Sequence, residues 1–377
     1  MDSDADAKNG ISAVTRQEEL DIVCIRAVRA WKDNGYSGES LNDTDVVEGV
    51  VVEEISPEKS GFAPWTRRTG DPAAYRDADG AARGTATLAV PTAEAEKVPE
   101  KALLYLHGGG YRKYKPTDGY ALAISTRLAK ACRAPVLAID YRLAPEFDVA
   151  SGAAVEDVLL GMRWLGSRFP AAALFLVGDS AGAGLALAAA ATAEPAAARG
   201  IVLLSPYLDL TMTSEGFERA MFRYEDAFGD IFYTNQDGQA CAASDRAWLR
   251  SRAKDYVGCS RFDDPRCSPV YMSDDLLRRC PPMLALVGGH EIFLYETSLL
   301  IRRAQALGVG CCLQVFPRMW HDWFNYCGLP SKIGLSSSPL LPALDAYRAI
   351  SDWIWAAECK EQAFGEKGAS SIPVAWT

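Results

Sequence analysis

Residues 178–182 read Gly-Asp-Ser-Ala-Gly, between the apolar run Leu174-Phe175-Leu176-Val177 and the small-residue run Ala183-Gly184-Leu185-Ala186. One reading is a tight βα turn that needs small residues. The other is a nucleophile: G-x-S-x-G between a strand and a helix lifts the serine Oγ above the sheet edge. The flanking glycines leave room for the sharp turn, and the amides of the helix N-terminus, Ala181 first, point at developing negative charge. A second stretch, His107-Gly108-Gly109-Gly110, directly follows Leu104-Tyr105-Leu106. Successive glycines let backbone N–H groups approach a ligand oxygen, which is what an oxyanion hole requires. The donors expected are the amides of Gly108, Gly109 and Ala181.

A serine nucleophile needs a base, and the chain has three histidines, at 107, 290 and 321. His107 opens the glycine loop and is read as bracing it. His321 lies in Pro317-Arg318-Met319-Trp320-His321-Asp322, past the last strand of the pattern, and is the natural general base. Glu291, in Val287-Gly288-Gly289-His290-Glu291, gives the chain order serine, acid, histidine. Asp322 and Asp275 compete with it for the acid's role, and His290 could intrude. Asp179 is read as bracing the serine turn.

These residues must be positioned by elements, and the hydrophobic pattern supplies them. Strands are expected at Val50–Ile55, Thr85–Val90, Lys101–His107, Ala134–Tyr141, Ala173–Gly178, Gly200–Ser205, Met283–Val287 and Cys311–Phe316. Helices are expected at Gln17–Lys32, Asp118–Ala131, Val149–Phe169, Ala181–Glu194, Glu296–Leu307 and from Leu341 to about Glu358. Near-continuous apolar strands alternating with helices predict an α/β fold, a mostly parallel sheet covered on both faces. Residues 210–270 break the rhythm with aromatics, charges and turns, and the stretch is too long for an idle loop. It reads as a cap, joined by the N-terminal helix.

Composition excludes other classes. The 377 residues carry a net charge of −10, against phosphate-tracking nucleic-acid binding. No apolar run spans a bilayer, and the acidic start Met1-Asp2-Ser3-Asp4 has no signal-peptide core. A cytoplasmic protein is the expectation. None of the ten cysteines forms a CxxC pair, so zinc-ribbon and thioredoxin chemistry are not signalled, and the serine, histidine and acid chemistry read above implies neither a metal nor an organic cofactor.

Taken in order, HGGGY (107–111), DYRLAPE (140–146), a helix with Glu156-Asp157 and Trp164, GDSAG (178–182), SPYLDLT (205–211), DPRCSPVY (264–271) and the tail 283–321 resemble the α/β-hydrolases of the hormone-sensitive lipase type. That resemblance implies a carboxylesterase with an acyl-enzyme on Ser180, His321 as base and Glu291 as acid. The substrate implied is a small or medium-sized apolar ester; an amidase or lactonase, or a non-catalytic receptor on the same fold, are the rival readings. The implied organisation is a disordered segment and cap helix over 1–45, catalytic core over 46–209 and 263–377, and a cap insertion over 210–262. The family usually has aspartate where Glu291 stands. Where apolar or small residues usually follow HGGGY, this chain has Arg112-Lys113-Tyr114-Lys115, cations that would favour an anionic substrate if they face the entrance. Tyr111, Arg112, Phe217, Phe222 and Tyr224 are the candidate substrate contacts. Family members often dimerise, which leaves a homodimer open.

Overall fold

The computed structural model describes residues 43–55, 86–194, 197–214, 216–217, 261–332 and 339–356. The helix expected at Gln17–Lys32 and most of the stretch read as a cap lie outside these residues. So do Phe222 and Tyr224.

Eight strands form one sheet: β1 (Val50–Ile55), β2 (Ala86–Pro91), β3 (Lys101–Leu106), β4 (Val136–Ile139), β5 (Ala173–Asp179), β6 (Gly200–Leu204), β7 (Met283–Gly288) and β8 (Cys311–Phe316), in the order β1-β2-β4-β3-β5-β6-β7-β8. β2 pairs antiparallel with β1 and β4, and the other five pairings are parallel. Every residue of β3, β4, β6 and β7 is buried. This is the signature of a sheet covered on both faces, and it explains why these strands read as unbroken apolar runs.

Side chains alternate across the sheet. Leu104 and Leu106 of β3, Leu176 of β5 and Leu203 of β6 pack against α2 (Ala153–Arg168), α3 (Ala181–Thr192) and α5 (Leu294–Ala306). Leu103 and Tyr105 of β3, Phe175 and Val177 of β5 and Leu204 of β6 pack against α1 (Gly119–Cys132) and α6 (Leu341–Ala356). The alanine-rich α3 is buried on almost every side, because it lies between the sheet and α2.

Two differences from the sequence pattern have local causes. The helix expected over Val149–Phe169 is broken: a 3-10 turn, Val149–Ser151, ends at Gly152 with φ +81°, and α2 starts after it. A short helix not foreseen, α4 (Asp274–Arg278), begins where the Ser273 side chain accepts the Leu276 amide.

A buried acid helps fasten the start of the described chain to the core. Asp43 meets Arg127 of α1 at 3.1 Å and Lys332 at 3.6 Å, and it accepts the Gly328 amide at 3.1 Å. Its own amide donates to the Asn325 carbonyl at 2.9 Å. Both Asn325 and Gly328 belong to the chain just past His321.

Candidate active site

The carboxyl ends of β5, β7 and β8 and the loop after β3 meet at one place. Ser180, between β5 and α3, has φ +51° and ψ −119°, a left-handed backbone strained for a residue with a Cβ. The neighbouring strand and helix hold it there. Its amide donates to the Leu204 carbonyl at 2.9 Å, and its carbonyl accepts the Tyr207 amide at 3.0 Å. The flanking glycines are required by contact rather than by their own torsions. A Cβ on Gly178 would overlap the Gly182 carbonyl, and one on Gly182 would overlap the Leu106 carbonyl.

His321 comes to Ser180 from the loop after β8. Its Nε2 lies 3.0 Å from Ser180 Oγ, and its Nδ1 lies 3.2 Å from Glu291 Oε2. Glu291 is fixed in turn: its Oε1 accepts the Gly288 amide at 2.6 Å and the Ser205 hydroxyl at 2.8 Å. The turn carrying Glu291 is laced to the histidine loop, since the Gly289 amide donates to the Phe316 carbonyl and the His290 amide to the Met319 carbonyl. Phe293 closes the other side of the imidazole edge-on, with centroids 5.1 Å apart. Three residues scattered along the chain thus form one hydrogen-bonded line, with Asp275 on the exposed face of α4 taking no part.

Asp322 adds a second acid. Its Oδ2 stands 3.2 Å from His321 Nε2, the nitrogen that also faces Ser180. Burial pulls the imidazole pKa down, but the carboxylates of Asp322 and Glu291 outweigh it and hold it well above the ordinary histidine value.

The glycine loop stands opposite, held by Asp179. This carboxylate is fully buried and accepts from Tyr105 Oη at 2.7 Å, from the Gly108 amide at 3.0 Å and from Tyr120 Oη. The Gly108 amide is therefore committed to Asp179, a correction to the expectation that it faces a substrate oxygen. The amides of Gly109, Gly110 and Ala181 take no hydrogen bond among the described residues. Gly109 and Gly110 have φ +99° and +61°, so the loop turns its peptides through a region that suits glycine. His107 stacks on Tyr141, its Nδ1 lies 2.8 Å from the Gly108 carbonyl, and Tyr141 Oη donates to the His107 carbonyl at 2.6 Å.

The substrate contacts expected from sequence fare differently. Tyr111 is fully buried, and its hydroxyl lies so near Gly184 that a Cβ there would stand 2.8 Å from it. It belongs to the core cluster on the α3 side of the sheet, on a backbone with φ +61°. Phe217 is likewise buried, in the core cluster on the α3 side of the sheet. Arg112 and Lys113 are exposed, on a turn whose two amides both donate to the Gly109 carbonyl. Two participants escaped sequence reasoning. Ser205 bridges Glu291 and the Asp322 amide, and nothing but its place after β6 marks it. Gly110 is the other: its amide, one residue beyond the pair of glycines expected to donate, makes no hydrogen bond among the described residues.

No helix among the described residues is long and apolar enough to cross a membrane. A family model described as alpha/beta hydrolase fold matches residues 103–325. The chain is 34% identical over 233 residues to an acetyl-hydrolase of Streptomyces hygroscopicus, covering 60% of this chain and 69% of that protein. It is 27% identical over 234 residues to an esterase of Acinetobacter venetianus, covering 61% and 70%. Among solved structures it is similar to an esterase from the bacterial hormone-sensitive lipase family, with TM-score 0.62 and 26% identity over 89% of this chain and 97% of that one.

Proposed function

The chain belongs to the alpha/beta hydrolase fold family, in its hormone-sensitive lipase type, and we propose that it works as a carboxylesterase on Ser180, His321 and Glu291. That it is a carboxylic ester hydrolase follows from relatives named acetyl-hydrolase and esterase. The observation that carries the residue assignment is the line Ser180 Oγ–His321 Nε2 at 3.0 Å and His321 Nδ1–Glu291 Oε2 at 3.2 Å.

In this mechanism Ser180 Oγ attacks the ester carbonyl while His321 Nε2 takes its proton. Glu291 keeps the imidazole in the tautomer with hydrogen on Nδ1 and stabilises the imidazolium that forms. The oxyanion is held by the amides of Gly109, Gly110 and Ala181, donors set before the charge appears, each worth about 10²–10³ in rate. His321 then protonates the leaving alcohol, and water repeats the sequence on the acyl-enzyme. The substrate class proposed is an apolar ester of small or medium size; beside the imidazole stands the aromatic stack of Tyr207 on Phe293, with centroids 4.8 Å apart.

The test is covalent labelling with a serine-directed phosphonate, followed by turnover of p-nitrophenyl esters graded by acyl length. The expected result is one labelled site, lost together with ester turnover in Ser180→Ala. Labelling or turnover that survives in that variant would refute the assignment. Faster cleavage of matched amides or lactones than of esters would move the substrate class.

A further inference from the structure

We infer that Asp322 is a positioning residue of this site, whose carboxylate competes with Ser180 for His321 Nε2 and holds the imidazole charged in the resting enzyme. The inference rests on the triad reading above and deepens it.

The geometry is specific. His321 Nε2 has two oxygens within reach, Ser180 Oγ at 3.0 Å and Asp322 Oδ2 at 3.2 Å, while Nδ1 is turned to Glu291. An imidazole with carboxylates at both nitrogens is best satisfied when both nitrogens carry hydrogen, since each N–H then donates to an anion. Asp322 does not reach this place by a loose side-chain swing. Its backbone is held at φ +59°, a left-handed conformation uncommon for a residue with a Cβ. Its amide donates to Ser205 Oγ at 3.0 Å, and the same hydroxyl donates to Glu291 Oε1 at 2.8 Å. One serine therefore sets both acids in a common frame about the ring. The other carboxylate oxygen, Oδ1, is buried and takes no hydrogen bond among the described residues, so the pairing with Nε2 is this carboxylate's principal polar contact.

The titratable groups bearing on the imidazole come from three elements. Glu291 stands on the turn after β7, Asp322 on the histidine's own loop, and Asp179 at the end of β5. All three are acids. Desolvation, then the charge of Asp322, pushes the Asp179 carboxyl pKa well up. This places Asp322 close enough to be felt beneath the serine turn as well as at the ring. For Ser180 to be activated, the imidazolium must first release its Nε2 proton to water, after which Nε2 can accept the proton of Oγ. Asp322 thus sets the pH at which the base becomes available.

The experiment is kcat/KM against pH, on a p-nitrophenyl ester, for the wild type, D322N and D322G. Asparagine and glycine both tolerate the left-handed backbone, so two independent variants guard against a folding defect. The acid limb should move down by about one unit or more in both, the usual effect of removing an opposite charge in contact. Below the wild-type limb, each variant should then turn over faster than wild type by about tenfold. A gain of this kind is not what a merely structural residue produces. An acid limb that stays in place in both variants would overturn the inference. Ser180→Ala, measured alongside, separates the two claims: if it is inactive and the limb is unmoved, only the role of Asp322 falls; if it remains active, the triad reading falls first.

Discussion

At the scale of single residues, the site depends on groups that are fixed before substrate arrives. Glu291 shows this best, because both its oxygens are engaged: one by the Gly288 amide and Ser205, the other by His321. Glu291→Gln keeps the size but offers the imidazole an amide where it needs an anion, and the glutamine can stabilise the wrong tautomer. kcat should fall on the order of 10⁴ with KM little changed, as read from steady-state kinetics on a p-nitrophenyl ester. Much at this scale was legible in the chain. Gly178 and Gly182 announce a turn with no room for side chains, and the order serine, acid, histidine follows from where the glycines and His321 fall among the strands. Which glycine amides face the reaction was not legible. The three residues of the loop are chemically alike, and only folding shows that Asp179 occupies the first amide. The nearness of Asp322 to Nε2 was equally hidden, since adjacency in sequence says nothing of which ring nitrogen a carboxylate meets.

At the scale of elements, the strands were legible because burial on both faces demands apolar runs, and these lie in the sequence at Lys101–Leu106 and Met283–Gly288. The break at Gly152 was not, since the apolar face of Val155, Val158, Leu159, Met162 and Leu165 lies wholly beyond it and does not say where the helix starts. The start of α5 carries a further consequence. Glu296, in its first turn, is 3% exposed and accepts from the Ser214 hydroxyl. Desolvation pushes its carboxyl up to about 7, partly offset by the Ser214 hydrogen bond. Because the folded-state value lies above the unfolded one, the native state keeps a proton that the unfolded chain has lost between about 4.5 and 7. Stability should therefore decline as pH rises through that window, by roughly 3 kcal/mol at most. Glu296→Gln cannot ionise, so this component should vanish. Urea unfolding followed across the window would show a shallower decline in the variant, and equal slopes would contradict the argument.

At the scale of the whole molecule, the chain carries a net charge of −10, and three of the acids in that count, Asp322, Glu291 and Asp179, stand at the site. The cations on the exposed turn after the glycine loop, Arg112 and Lys113, are where an anionic ester would find relief from that field. Replacing both with alanine should lower turnover of an acidic ester relative to its neutral counterpart by several-fold, and added salt should weaken the difference. The ratio of kcat/KM for the two esters, before and after, is the measurement; an unchanged ratio would assign the turn to solvent.

Asp43 has a mechanical consequence. It grips α1 through Arg127 and the segment beyond the histidine through Gly328 and Lys332. The start of the described chain is thereby tethered a few residues downstream of His321, the proposed base. A displacement at Asp43 would be passed, through its carboxylate and its amide together, to the stretch that follows His321.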